Sequence, residues 1–175
     1  GMLEDRHEVF AERELFLLRE LQNMFAAESL IGGDKDVVVV PARHAWPEYL
    51  KYHAYVCQAD RKFRDVKRLA FYYHGEIRQH IPRIMEPYHP SVRFMHGEHQ
   101  GRLGQLIDAL LNDGVKSEGE IHGVFILSPP DASETLNLEH PVRNDLTSVD
   151  GKPMAFTQNQ RYVSSAQIKT AKVTS

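Results

Sequence analysis

The residues with the clearest capacity for chemistry lie between positions 61 and 68. There Arg61-Lys62-Phe63-Arg64-Asp65-Val66-Lys67-Arg68 places five cations in eight residues, just ahead of the aromatic run Phe71-Tyr72-Tyr73. Cations neutralise phosphates and exposed rings stack on bases, so the pattern suits a nucleic-acid surface as well as a solvated strand edge. A second segment of the same kind, Gln158-Asn159-Gln160-Arg161-Tyr162, is rich in amides that match the hydrogen-bonding edges of bases. The candidate ligand-binding residues are therefore Arg61, Arg64, Arg68, Tyr72, Arg78 and Arg161, with Trp46 as the candidate ring for a stacking pocket.

A metal site has one candidate, His96-Gly97-Glu98-His99, with His80 and His89 upstream. Imidazoles and a carboxylate could hold zinc with a position left open for water, the chemistry of a metal-dependent hydrolase or nuclease. Gly97 and Gly101 argue for a loop there, and no helical HExxH pair is present, so solvated histidines and no bound metal are expected. Asp65-Val66-Lys67 matches a nuclease tripeptide that a chain this rich in acids contains by chance. Cys57, beside Tyr55, carries no nucleophile signature and reads as a small buried apolar residue. Gly97, Gly101 and Gly104 lack the preceding strand of a phosphate loop, so no cofactor is expected.

Composition narrows the classes. The apolar share of 42% and charged share of 26% in 175 residues are those of a globular chain, sufficient for one core and against disorder. A net charge of −3 means that any nucleic-acid binding must be local. No apolar run is long enough for a membrane span, and Gly1-Met2-Leu3-Glu4-Asp5 lacks the basic and then apolar pattern of a secretory signal. A single cysteine fits a reducing compartment, so a cytoplasmic protein without membrane attachment is expected.

The elements that must position these groups follow from periodicity. Phe10, Leu17, Leu18, Leu21, Met24 and Phe25 mark an amphipathic helix over 5–27, the core of an N-terminal unit at 1–33 and a candidate surface for self-association. Residues 34–175 read as one further domain. Val37-Val38-Val39-Val40 is a buried strand ended by Pro41; residues 46–50 are a turn or short helix; 52–56 is another strand. Leu103, Leu106, Ile107, Leu110 and Leu111 give a helix stopped by Asn112-Asp113-Gly114, and 121–127 is a strand stopped by Pro129-Pro130. Residues 128–145 read as a polar connection, 154–156 and 161–163 as strands, and Ser164 or Ser165 as the cap of a closing helix.

Around His74-Gly75 the sequence predicts a hairpin with a three-residue loop, Tyr73 to Gly75, and a bulge. That register pairs Phe71 with Ile77, Leu69 with Gln79 and Lys67 with Ile81. It leaves Arg68, Ala70 and Tyr72 with Glu76, Arg78 and His80 on a wet, basic face. A two-residue turn would pair Tyr72 with Ile77 and mix polar with apolar groups on both faces. The whole pattern predicts an α+β chain: a small, mixed, mostly antiparallel β-barrel with helices packed outside.

Trp46, Arg61-Lys62-Phe63-Arg64 and Leu69-Ala70-Phe71-Tyr72-Tyr73-His74-Gly75-Glu76-Ile77 together resemble the central strands of PUA-like barrels of the EVE type, over about residues 36–90. The resemblance implies a non-catalytic pseudo-barrel that binds RNA or a modified base in a pocket, with Trp46 as pocket aromatic and Tyr72 or Tyr73 as strand aromatics. The leading expectation is thus a nucleic-acid or modified-base binding module. Its rivals are the hydrolase of the His96–His99 loop and a protein-interaction or dimerisation module docking through the N-terminal helix.

Overall fold

A computed structural model describes residues 35–144, 149–152 and 160–171. The helix expected over 5–27 and the strand expected over 154–156 lie outside the described residues. The chain is α+β, and its mixed sheet curls into a half-barrel with few helices.

Strand β1 (Val37–Pro41) forms because four consecutive β-branched residues favour extended backbone and have no polar side to present to water. Its valines are all fully buried and divide between two cores, Val38 and Val40 facing one and Val37 and Val39 the other. Helix α1 (Ala45–Tyr52) follows, burying Trp46 and Tyr49 and ending at left-handed His53, whose N–H donates to the Tyr49 carbonyl at 2.8 Å. The sequence-read strand over 52–56 is therefore shifted: Tyr52 and His53 finish the helix, and β2 runs Ala54–Gln58.

Strand β3 (Arg68–Tyr73) lies parallel to β1, with Val38 beside Leu69 and Val40 beside Phe71. A parallel neighbour requires a crossover, which α1 and β2 supply. β3 then turns into β4 (Glu76–Ile77), and β5 (His80–Ile81) and β6 (His89–Arg93) follow. Helix α2 (Gly101–Asn112) carries the predicted apolar stripe. β7 (Ile121–Ile126), β8 (Leu136–Asn137), β9 (Val142–Arg143), β10 (Arg161–Val163) and helix α3 (Ser165–Thr170) complete the described chain. The connection read as polar from 128 to 145 thus holds two short strands, anchored by buried Val142 and Thr135.

The strands make a five-stranded sheet in the order β10-β1-β3-β4-β9, a three-stranded sheet β2-β7-β6 and the pair β5-β8. Between the two larger sheets lies the aromatic core of Trp46, Tyr49, Tyr55, Phe71 and Phe125. Leu106, Ile107 and Leu110 of α2 cover the other face of the three-stranded sheet through Ala54, Val124 and Ile126. Ile168 of α3 covers the other face of the five-stranded sheet through Val37, Val39 and Ala70. Both sheets are therefore apolar on both faces.

That double covering corrects the hairpin. His74 and Gly75 both take positive φ, 50° and 75°, and form a two-residue turn that pairs Tyr73 with Glu76 and Tyr72 with Ile77. The Arg78 N–H donates to the Phe71 carbonyl at 2.8 Å in the same register. The expected wet face of Arg68, Ala70 and Tyr72 is instead turned toward the α3 core, where Ala70 is fully buried. Alternation decides register only where one face meets water.

Among the described residues, Arg78 Nε and Gln79 Oε1 are buried without a hydrogen-bond partner, whereas the hydroxyls and the carboxylate at two other places in the core are paired. The Arg83 N–H donates to Ser128 Oγ (2.8 Å), Ser128 to Thr135 Oγ1 (2.6 Å) and Thr135 to the Pro129 carbonyl (2.6 Å), a chain in which each hydroxyl proton has an acceptor. At the other side the Asp36 carboxylate accepts from Ser165 N–H (2.7 Å) and Ser165 Oγ (2.8 Å), while Ser164 and Gln167 form a capping box. The start of β1 and the start of α3 are tied together by that carboxylate.

Gly123 of β7 sits opposite Cys57, and a Cβ there would meet the Tyr88 hydroxyl and lie 2.9 Å from Cys57 Sγ. Gly123→Ala should destabilise the fold by ~1–3 kcal/mol through overpacking, and less in a Tyr88→Phe background that lacks the hydroxyl. Denaturant unfolding of the four proteins of this cycle checks it: equal costs in both backgrounds would disprove the clash.

Candidate functional site

The basic run of residues 61–64 follows β2 and is fixed by its aromatic member. Phe63 packs edge-on against Phe125 (ring centroids 4.8 Å apart) and Tyr88 (5.1 Å). The Arg61 guanidinium lies over the Phe63 ring at 5.3 Å and donates from Nη1 to Tyr55 Oη at 3.0 Å. Burial raises the Tyr55 hydroxyl to about 12, with Arg61 acting in the opposite sense, so it stays protonated beside the cation.

The decisive contact crosses 99 positions. Gln160 accepts from Arg61 Nε at 3.0 Å and donates from Nε2 to the Lys62 carbonyl (2.9 Å) and Tyr162 Oη (2.9 Å). Tyr162 in turn accepts from the Arg64 N–H at 3.1 Å, and the Arg64 guanidinium stacks over its ring at 4.8 Å. One amide side chain joins the two segments that the sequence singled out separately. Beside it opens a concavity of about 420 Å³, lined by Gln58, Ala59, Asp60, Arg61, Lys62 and Gln160. Lys62 and Arg64 are exposed.

The other sequence-predicted residues are dispersed. Tyr162 pairs with Val38 and faces the aromatic core, whereas Arg161 pairs with Val39 and so lies on the opposite face of the sheet from Tyr162 and Arg64. Arg68 is also on that opposite face, its Nη1 donating to the carbonyls of Glu134 (2.7 Å) and Ile81 (3.2 Å), with burial lowering its pKa. Tyr72 accepts from Asn144 Nδ2 at 2.8 Å. Arg78, expected on the face of Arg68 and Tyr72, lies instead over Trp46 at 5.4 Å and pairs with Glu76 at 3.2 Å, because the two-residue turn reverses its side.

Trp46 is only 7% exposed, with His80 stacked on it at 5.9 Å as well as Arg78 over it. A base could stack there only by displacing one of them, so Phe63 and Tyr162 replace Trp46 as the rings nearest a ligand surface. Gln58 and Asp60 escaped the sequence reading. The turn at Asp60, with φ of 59°, is what brings them to the concavity, and no residue spacing announces it.

Cys57 is buried, 3.7 Å from the Tyr88 hydroxyl, and its thiol is raised by burial, the environment of a structural cysteine. Among the described residues no three His, Cys, Asp or Glu side chains gather as metal ligands. His96 places Nδ1 2.6 Å from Glu118 Oε1 and Nε2 3.0 Å from Asn112 Oδ1, so both nitrogens face acceptors, an arrangement that favours the protonated ring. His99 turns away and donates from Nε2 to the Arg93 carbonyl at 3.0 Å. The loop is thereby an ion pair closing on the end of α2.

A larger concavity of about 730 Å³ runs between the 136–143 segment and α3. Its walls carry Leu136, Leu138, Ile168 and Ala171 beside Asn137, whose Oδ1 lies 2.6 Å from His80 Nδ1. No protein-family model matches the chain, and comparison with curated proteins and with solved structures finds none similar to it. No helix among the described residues is long and apolar enough to cross a membrane.

The His96 pKa is raised, first by its bond to Glu118, and that of Glu118 is lowered, first by its bond to His96. The histidine's contribution to stability is complete below its ordinary value near 6.5 and fades as pH rises through the raised one. The carboxylate's is complete above its ordinary value near 4.5 and fades as pH falls through the lowered one. The pair therefore stabilises most between those two values. Glu118→Gln should lower the thermal midpoint more at about pH 5.5 than at about pH 9. Melting curves showing the same loss at both would contradict the pairing.

Proposed function

We propose that the protein is a non-catalytic module that binds single-stranded nucleic acid, or a modified base within it, at the surface formed by residues 58–64 and 160–162. The observation that carries this reading is the Gln160 bridge, which holds Arg61 and the Lys62 backbone beside an open polar concavity. Groups ordered before a ligand arrives lose less entropy on binding. Exposed Lys62 and Arg64 supply the phosphate-directed charge on a chain whose net charge is −3. The Gln58 amide offers both donors and an acceptor to base edges, while Gln160, whose two N–H groups are engaged by Lys62 and Tyr162, keeps only acceptor capacity at Oε1. Arg64 over Tyr162 presents a guanidinium plane on which a base can stack in place of a bare ring.

We include in the same proposal that the curled half-barrel belongs to a PUA-like barrel of the EVE type. The hydrolase reading gains nothing from the His96–His99 loop, whose two imidazoles engage different partners.

Fluorescence anisotropy with a labelled 12-nucleotide single strand at two salt concentrations tests the proposal. Lys62→Ala and Arg64→Ala should each weaken binding and reduce the salt slope by about 1. Gln160→Ala should weaken binding with a smaller change in slope, because it removes positioning and no charge. Lys169→Ala, on α3, should leave binding unchanged. No association at low salt, or association indifferent to the first three substitutions, would refute the proposal.

A further inference from the structure

The concavity contains one group that a phosphate-binding surface would be better without. Asp60 lines it together with Arg61 and Lys62, and its residue is exposed, leaving the carboxylate open to solvent and to a ligand. Arg61, its neighbour, directs Nε to Gln160 and Nη1 to Tyr55.

The position is built. Asp60 has φ of 59°, a left-handed conformation that Asp tolerates better than most residues. Its N–H donates to the Pro90 carbonyl at 2.7 Å, and the Arg61 N–H closes the turn on the Gln58 carbonyl at 3.4 Å. The backbone is thus held from β6 and from the end of β2. The concavity, about 420 Å³, falls within the range of small-molecule sites, roughly 300–1,000 Å³.

Phosphodiester oxygens only accept hydrogen bonds, so a carboxylate among the cations repels a backbone that offers nothing else. It becomes favourable when the backbone brings a donor of its own. A ribose 2′-hydroxyl is such a donor and recurs at every nucleotide, whereas deoxyribose has none. The cations beside Asp60 serve the phosphate, and the carboxylate serves the sugar.

We infer that Asp60 is the specificity-determining residue of this surface, accepting a hydrogen bond from a ribose 2′-hydroxyl and so selecting RNA over DNA. The inference rests on the binding function proposed above, and it has its own failure. A carboxylate that read a base donor would treat ribose and deoxyribose alike.

The test compares a labelled 12-nucleotide oligouridylate with its 2′-deoxy counterpart, which has the same bases and phosphates, by anisotropy at low salt. The wild-type protein should bind the RNA about tenfold more tightly, the size of one charge-assisted hydrogen bond. Asp60→Gly keeps the positive φ and removes the acceptor; it should weaken RNA binding, preserve or strengthen DNA binding and so abolish the preference. Asp60→Asn keeps an acceptor without the charge and should retain part of the preference while improving DNA binding. Circular dichroism of each variant verifies the fold. Equal wild-type affinity for both strands, or an Asp60→Gly change that is equal for both, overturns the role of Asp60 and leaves the binding function standing. Absence of binding to either strand overturns the binding function itself.

Discussion

Burial of β1 on both faces is the constraint from which the rest of the architecture follows. Four consecutive valines have no polar side, and each is worth ~1.5–3 kcal/mol when fully buried, so the strand is stable only with a core above and below it. Val38 and Val40 demand the aromatic core and the second sheet; Val37 and Val39 demand α3. The parallel partner β3 repeats the arrangement, with Leu69 and Phe71 toward one core and Ala70 toward the other. Because parallel strands cannot be joined by a tight turn, the crossover through α1 and β2 delivers the three-stranded sheet to the side where the aromatic core needs a cover.

The candidate site inherits its geometry from the same strand. β10 pairs with β1 alone in the sheet, and that pairing turns Tyr162 toward the aromatic core and sets Gln160 just beyond it. The loop after β2 arrives from the other sheet with Phe63 pinned between Phe125 and Tyr88. Two segments far apart in the chain thus meet at the rim of the core, bridged by the Gln160 amide and by Tyr162. The bridge is polar, partly exposed and small beside the apolar burial that brings its ends together. Loss of Gln160 should therefore disturb the site more than the fold.

Much of the framework was legible. Helix α2 announced itself through its leucine spacing and glycine stop, β1 and β7 through β-branched and apolar runs bounded by proline, and α3 through its serine cap. The hairpin register was not, because the alternation rule assumes a wet face and this sheet has none among its central strands. Arg78 is the instructive case. A cation looks out of place on an apolar face, yet it lies on the face of Trp46, pairs with Glu76 and remains a quarter exposed, so most of its charge is accommodated even though its Nε has no partner among the described residues. Trp46 misleads in the converse way, since a lone tryptophan suggests a pocket and here it fills the end of a core.

By itself the sequence determined β1, α2, β7 and α3 and where the two basic or amide-rich segments lie, because propensity, periodicity and capping act over a few neighbouring residues, while the short strands β6, β8 and β9 carried no such local signal. Tertiary structure alone decided which of the chosen cations share a surface. It gathered Arg61, Lys62 and Arg64 with Gln160 and Tyr162, and it placed Arg68 and Arg161 across the sheet. The side of a sheet on which a residue stands depends on strand pairing, and pairing is settled by burial summed over both faces of β1. No local pattern encodes that sum.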